Sequence, residues 1–577
     1  MKRFVCLGVV LCLSVVWLGC GDVFRPIIIP NPPIFPSPAA AHTVVTISDN
    51  GTTTNGSAMV IDVSGDSVVS TKTVGLRPVH AAQQSATSVL VANQSVTDVP
   101  EDSITKLTYS GTTIASTTTI TLPLSYDPAG SGTPTTAAPN FVASMEANQG
   151  YVLLPDYQPV PTGGPITPSV DVFSTASNSS APTPFAVGNP PGDPLANPVA
   201  MVETQDGKKL YVANEGDSSI SAFDTGTLSL FPRTICNASG TTCPPSMSSG
   251  PIWLAARSDS QQVYALESNG TLAYLNTSTT GGPDTFTETN IVVPGTATYM
   301  WYDMILNRLY IPSASQLTIV DVSQSAPTQM ATVAVPPFSV APAGSPTVPA
   351  IAIAATSTPD GTRAYVTSVP STPDMVLPTQ ATITSVSDND TPPVFATYAY
   401  TLTSGHDITP GVTLTISGLG TGLTAYEGTL QVSNVVSGTT DCPTGECFQV
   451  VNSNQLNPTT VSGSATGENI FPQVTLVNTN SNTATTTPIA IPGFAPYDAF
   501  CSPTVNAQAP RFRFLMAAGG DSSRVYLSSC DAGNVNIIDT VTESYIENTP
   551  TANSQRPPIP PSQQNPPQNP TFMIAGP

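Results

Sequence analysis

The stretch Asp206-Gly207-Lys208-Lys209-Leu210-Tyr211-Val212-Ala213-Asn214, followed by Ile220-Ser221-Ala222-Phe223-Asp224, decides the fold. A turn carrying Asp and Gly feeds a strand with one aromatic. A second strand ends in an aspartate whose side chain can cap its own backbone in the next turn. The apolar strand Pro198-Val199-Ala200-Met201-Val202 precedes the unit, and proline marks its start. The unit then recurs. Weaker copies are Gln262-Val263-Tyr264-Ala265, Arg308-Leu309-Tyr310-Ile311, Arg363-Ala364-Tyr365-Val366 and Arg524-Val525-Tyr526-Leu527. The tyrosine spacings are 53, 46, 55 and then 161 residues. Two copies keep the second strand and its terminal acid, in Leu317-Thr318-Ile319-Val320-Asp321 and Val535-Asn536-Ile537-Ile538-Asp539. Four short antiparallel strands cannot bury both faces alone, so the units must stack, and radial stacking gives a β-propeller.

Working outward, weaker equivalents of the tyrosine strand lie at 44–48, 88–92 and 150–154. The count is then eight blades, or seven if one weak early unit is not a blade. The first unit has no apolar strand ahead of it. Pro570-Thr571-Phe572-Met573-Ile574-Ala575 reads like the inner strand Pro139-Asn140-Phe141-Val142-Ala143, so the C-terminal strand is expected to complete blade 1 and remove the open edge of the ring. The long tyrosine gap holds alternating stretches such as Val412-Thr413-Leu414-Thr415-Ile416, which argue for half-buried strands. The expected division is a propeller over 43–393 and 469–577, with a small β domain inserted at 394–468.

These units resemble the YVTN-type repeats of bacterial surface and exported proteins and, more loosely, the lactonase-like propellers. Tyr211-Val212-Ala213-Asn214 through Asp224 carries the best match, and Tyr365-Val366-Thr367-Ser368 the next. The resemblance assigns a structural repeat role to Tyr211, Asn214, Asp224, Tyr264, Tyr310, Asp321, Tyr365, Tyr526 and Asp539. It also implies acidic, Arg and His groups facing the central channel in lactonase-like members. No such set can be matched here residue by residue.

Composition agrees with an all-β chain. Charged residues make up 9% of 577 residues, against a typical level of about 25%. Lys and Arg number 16 and Asp and Glu 38, a formal charge of −22. So acidic a surface repels phosphate backbones, which excludes nucleic acid as a partner.

The N-terminus reads as an export signal. Lys2 and Arg3 precede an apolar run over residues 4–19, shorter than the roughly 20 residues that span a membrane. Trp17-Leu18-Gly19-Cys20 resembles the bacterial lipoprotein signal, in which the cysteine becomes the lipidated first residue; Cys20 is the expected lipid site and 1–20 the signal. Residues 21–42 are proline-rich and read as an extended stalk. Even number, close spacing and export favour disulfides over metal for the six later cysteines, paired Cys236 with Cys243, Cys442 with Cys447, and Cys501 with Cys530.

Catalytic signals are thin. His42, His80 and His406 are the three histidines and read as structural or solvent-facing. Ser103-Ile104-Thr105-Lys106 matches an S-x-x-K string, which needs a helix to work and here lies in a strand-like stretch. Asp388 with Asp390, and Glu215 with Asp217, read as solvated turns rather than calcium loops. No catalytic residue, metal or cofactor is assigned. The expected function is a lipid-anchored binding module of the bacterial cell envelope, with a protein or glycan as partner. The alternatives are a lactonase-like hydrolase using the channel and a passive scaffold in an envelope complex.

Overall fold

The computed structural model describes residues 43–576, apart from 52, 95–101, 127–134, 147, 161–164, 182, 280, 389–394, 440–441, 444, 453–455, 494–500, 502–511 and 547–568. Cys20, the stalk and His42 therefore lie outside the described residues.

Eight antiparallel sheets form a ring. Blade 1 joins Thr43–Asp49, Asn55–Asp62 and Ser67–Leu76 to the C-terminal strand Asn569–Ala575. Blade 2 is Pro78–Ser85, Ser88–Asn93, Ser103–Ser110 and Thr113–Thr121. Blade 3 runs from Phe141–Glu146 through Gln149–Leu154 and Ser169–Ser174 to two short outer pieces. Blade 4 is Pro198–Glu203, Lys209–Asn214, Ser219–Gly226 and Ser229–Arg233. Blade 5 is Pro251–Ala256, Gln262–Glu267, Thr271–Asn276 and Asp284–Val292, with Ile235–Asn237 added in parallel at its edge. Blade 6 is Trp301–Asp303, Arg308–Ser313, Gln316–Asp321 and Thr328–Ala334. Blade 7 starts with Ala350–Ser357 and Arg363–Pro370 and resumes with Gln473–Asn478. Blade 8 is Phe514–Ala518, Arg524–Ser529, Asn534–Asp539 and Ser544–Tyr545.

The count of eight is the one reached from the sequence. The closing strand pairs Val45 with Ile574 and Ile47 with Phe572 in antiparallel register. Thr43–Asp49 is buried along its whole length, so without that partner its inner edge would be bare. Pro78, Pro198 and Pro251 each open an innermost strand, the sheet edge where a missing N–H is tolerated. The hairpins that follow the innermost strands carry a left-handed residue, Gly207 at φ 67° and Gly361 at φ 66°, which accounts for the glycine in the repeat.

In blades 3 to 8 the tyrosine strand is the second strand, and in blades 1 and 2 Thr43–Asp49 and Ser88–Asn93 take that place without a tyrosine. Tyr151, Tyr211, Tyr264, Tyr310, Tyr365 and Tyr526 are all fully buried between blades. Burying one such ring contributes about 2 kcal/mol, and the ring repeats it from blade to blade.

The inserted sheet has seven strands in the order Gly428–Gln431, Thr413–Ser417, Thr459–Ile470, Val376–Asp388, Phe395–Gly405, Glu446–Val451, Asn434–Ser437. It begins at Val376, ahead of residue 394 where the sequence placed it. Val376–Asp388 alternates buried and exposed side chains and pairs with Thr459–Ile470, which draws it into the insert rather than blade 7. Tyr398 stacks on Phe448 at 4.9 Å in its core. Ile383, Leu414 and Phe448 belong to one apolar cluster with Tyr310, Leu317 and Val366 of blades 6 and 7, so the insert packs on the ring.

Candidate functional site

The innermost strands converge on the ring axis, and their N-terminal ends bring aromatics together. His80 of blade 2 stacks on Phe141 of blade 3 at 3.6 Å and lies 4.5 Å from Phe572 of blade 1. Phe141 meets Trp253 of blade 5 at 6.0 Å. Trp253 then reaches Tyr299 at 5.2 Å and Phe512, just ahead of blade 8, at 5.9 Å. Blades 5 and 8 are not neighbours, so their rings can only meet across the axis. The cluster therefore closes the channel at this level. Edge-to-face contacts of this kind each add about 0.5–1.5 kcal/mol beyond burial.

His80 is a member of that plug. Burial pushes its imidazole down to about 3, and its Nδ1 accepts a long bond of 3.4 Å from the Val142 N–H. A neutral, enclosed ring stacked on phenylalanine acts as packing. His406 sits at the base of the insert, stacked on Phe471 at 3.7 Å, and burial also lowers its pKa.

Acids do gather at the opposite ends of the innermost strands of blades 3 and 4. Glu203 is buried, its Oε2 accepts the Met145 N–H at 2.5 Å, and burial pushes its carboxyl well above the usual range. The nearby Glu146 carboxyl is raised for the same reason. Two arginines that flank innermost strands, Arg257 after Pro251–Ala256 and Arg513 before Phe514–Ala518, are engaged elsewhere. Arg257 binds Asp259 at 2.8 Å and the carbonyls of Val322 and Gln324, and Arg513 pairs with Asp531 at 3.4 Å. Among the described residues no cluster of three His, Cys, Asp or Glu side chains is placed to hold a metal.

The repeat residues form a second system, which joins each blade from the third onward to the next. In blades 3 to 8 the residue two positions before the tyrosine, or the tyrosine hydroxyl itself, reaches the turn between the third and fourth strands of the following blade. Tyr211 donates to Asp284 Oδ2 at 2.8 Å while Lys209 lies 3.2 Å from Oδ1. Gln149 donates to the Gly226 carbonyl at 3.0 Å. Gln262 donates to the Ser325 carbonyl at 2.7 Å and accepts from Tyr264. Arg308 reaches the Thr479 carbonyl at 2.6 Å, and Arg363 reaches Glu543 at 3.2 Å. Tyr526 and Arg524 both reach Asp66, at 2.8 and 3.0 Å, across the seam of the ring. Asp284 and Asp66 carry no signal in the sequence, because each sits in a turn of its own composition. The Lys, Arg or Gln two places before each tyrosine was the legible half of the latch.

The other quoted residues are also placed. Asp321 caps the Ser323 N–H at 2.8 Å and Asp539 caps Val541 at 2.7 Å, as the unit expects. Asp224 instead takes Arg233 on both oxygens at 2.9 Å. Asn214 is buried and donates to Ser219 and Ser221 at 3.0 Å. Cys236–Cys243, Cys442–Cys447 and Cys501–Cys530 are disulfides. Ser103 and Lys106 lie on one strand, an odd number of residues apart and so on opposite faces; Lys106 donates to the Thr175 carbonyl at 2.9 Å. Asp388 accepts from Tyr426 at 3.3 Å, while Asp390 is outside the described residues.

Sequence reasoning missed a cavity on the outer rim of blade 4, of about 240 Å³. Ile220, Phe223, Pro232 and Phe286 line it together with Pro191, Pro244, Pro245 and Met247. The Cys236–Cys243 disulfide closes the loop that forms one wall. Arg233 also lines it, but its guanidinium is occupied by Asp224 and by Asp284 at 3.1 Å. Phe231, on the outer strand next to the lining residue Pro232, is 57% exposed.

No family model matches the chain, and no curated sequence does. Among solved structures, it is similar to the periplasmic gluconolactonase PpgL of Pseudomonas aeruginosa, at 17% identity over 51% of this chain and 83% of that one, with a TM-score of 0.37. A putative 6-phosphogluconolactonase from Bacteroides uniformis matches at 13% identity over 57% and 92%, with a TM-score of 0.36. AztD from Citrobacter koseri matches at 8% identity over 92% and 97%, with a TM-score of 0.43. The propeller rests on the strand pairing described above, and these distant likenesses add no claim about activity.

Proposed function

We propose that this chain is a non-catalytic binding module of the cell envelope. A rigid eight-bladed ring presents its rim and its inserted sheet to a protein or glycan partner. The observation that carries this reading is the aromatic closure of the axis by Phe141, Trp253, Tyr299 and Phe512. It fills with packed apolar rings the place where propeller hydrolases would carry polar groups, while a cavity of about 240 Å³ opens on the rim. The disulfides suit an oxidising compartment outside the cytosol. Lys2, Arg3, the apolar run and Cys20 support export and a lipid anchor, with residues 21–42 as the spacer.

Affinity capture from solubilised envelope of the cell of origin tests the reading. The wild-type protein would run beside Phe231→Glu on blade 4 and Val451→Glu on the insert, where Val451 is 72% exposed. A partner enriched by wild type and lost with one of these changes supports it. No specific partner, together with turnover of lactones by the purified protein, would overturn it in favour of the hydrolase.

A further inference from the structure

The rim cavity lies over an incomplete sheet edge. The outer strand Ser229–Arg233 pairs with Ser219–Gly226 only between Gly226 and Ala222. The chain then leaves at Thr234 so that Ile235–Asn237 can pair with blade 5. Thr225 donates its N–H inward to the Lys208 carbonyl at 3.0 Å, so alternate residues from Thr225 back to Ser219 direct their backbone groups to the second strand. The other set, Gly226, Asp224 and Ala222, faces outward and is covered by Ser229, Phe231 and Arg233. Ile220 is the next member of that outward set, and no strand covers it. It faces the cavity, as do Ser219 and Ser221.

The walls around Ile220 do not supply a substitute. Pro191, Pro232, Pro244 and Pro245 have no N–H with which to extend the ladder. What they provide, with Met247 and Phe286, is an apolar trough beside a free backbone donor and acceptor. This is the combination by which extended peptides add to a sheet: main-chain bonds for affinity and alternate side chains in pockets for specificity.

Charge identifies the kind of peptide. On one side stands Asp217, whose carboxylate accepts the Asn189 N–H at 2.6 Å and the Ser219 hydroxyl at 2.6 Å. On the other stands Glu288, two residues beyond Phe286 on the same face of its strand, accepting the Ser248 N–H at 2.5 Å beside Met247. The cation in the lining, Arg233, is already bound on both sides by Asp224 and Asp284. The trough is therefore apolar in the middle and anionic at its flanks, on a chain of net charge −22.

We propose that this cavity receives an extended segment of a partner protein, with small apolar residues flanked by lysine or arginine, which adds to blade 4 at Ile220. The inference rests on the binding-module reading and names its partner class.

The test uses the full-length protein and labelled five-residue peptides with lysine at both ends and Val, Leu, Thr or Pro between, followed by fluorescence anisotropy. At least one lysine peptide should bind below about 1 mM, and its glutamate-ended counterpart about tenfold more weakly. Methylating the peptide nitrogen that meets Ile220 should weaken it roughly fivefold. Asp217→Asn keeps one of the two acceptor oxygens used there and Glu288→Gln keeps an acceptor for the Ser248 N–H, and each should cost roughly two- to fivefold, with a flatter salt dependence. Met330→Gln, on the exposed outer strand of blade 6, should change nothing. Equal binding of the two charge types, indifference to methylation at every position, or no binding by any lysine peptide would overturn the assignment. So would an envelope partner whose capture is undiminished in the Asp217→Asn, Glu288→Gln double variant, although the binding-module reading would then stand. Peptide binding without any captured partner would support the cavity assignment while counting against the wider reading.

Discussion

The Tyr526 hydroxyl donates to Asp66 at 2.8 Å, joining blade 8 to blade 1 across 460 residues of sequence. Arg524 binds the same carboxylate at 3.0 Å. This is the seam of the ring, and it uses the contact that Tyr211 makes with Asp284 between blades 4 and 5. Both partners are buried, so removing one leaves the other without its bond. Tyr526→Phe should destabilise the fold by about 1–3 kcal/mol in urea unfolding. In a double-mutant cycle with Asp66→Asn the two losses should not add. Additive losses would mean that the pair is not coupled.

The C-terminal strand closes the same seam by antiparallel pairing with Thr43–Asp49. Ending the chain at Gln568 removes the partner of Thr43–Asp49 and exposes a fully buried strand edge. Size-exclusion chromatography should show association or aggregation, and thermal unfolding should lose its cooperativity. A monomer with an unchanged transition would show that the closing strand is dispensable.

His80 gives the plug a pH signature. Below 6.5 the unfolded chain takes up a proton that the folded ring refuses until about 3, so stability falls as pH drops through that window. His80→Phe should remove this loss. At pH 4 it should be the more stable protein by up to about 3 kcal/mol, less about 1 kcal/mol for the lost Val142 bond. Parallel stability curves between pH 7 and pH 4 would contradict a buried neutral imidazole.

Asp171, fully buried on the third strand of blade 3, titrates in the opposite sense. Burial pushes its carboxyl up to about 8 against 3.8 in the open chain, so the folded state holds a proton that the unfolded state releases. Stability from this group is complete below 3.8 and is lost as pH rises towards 8. Asp171→Asn should raise the melting temperature at pH 7.5 and leave it nearly unchanged at pH 4; a gain of equal size at both would assign the effect to packing.

The ring was legible because blades 3 to 8 each repeat one strand with a buried tyrosine, and because Pro570 to Ala575 matches an inner strand that blade 1 lacked. The site was less so. Phe141, Trp253 and Phe572 each stand on an apolar inner strand, but only ring closure brings blades 3, 5 and 1 to a common axis. The rim cavity depends on where Ser229–Arg233 stops, a boundary set by the pull of Ile235–Asn237 towards blade 5. The start of the insert was displaced for a similar reason. Val376–Asp388 follows the blade-7 strand Arg363–Pro370 after a short turn and reads as part of the propeller until its distant partner Thr459–Ile470 is known.

The central claim is that recognition happens on the rim and the insert, away from the axis. Site-specific photo-crosslinking in the cell of origin tests it directly, with benzoylphenylalanine placed in turn at Phe231, Val451 and the innermost-strand residue Ile353. Covalent adducts from position 231 or 451, and none from 353, are the predicted result. Adducts confined to position 353, or none from any of the three, would contradict it.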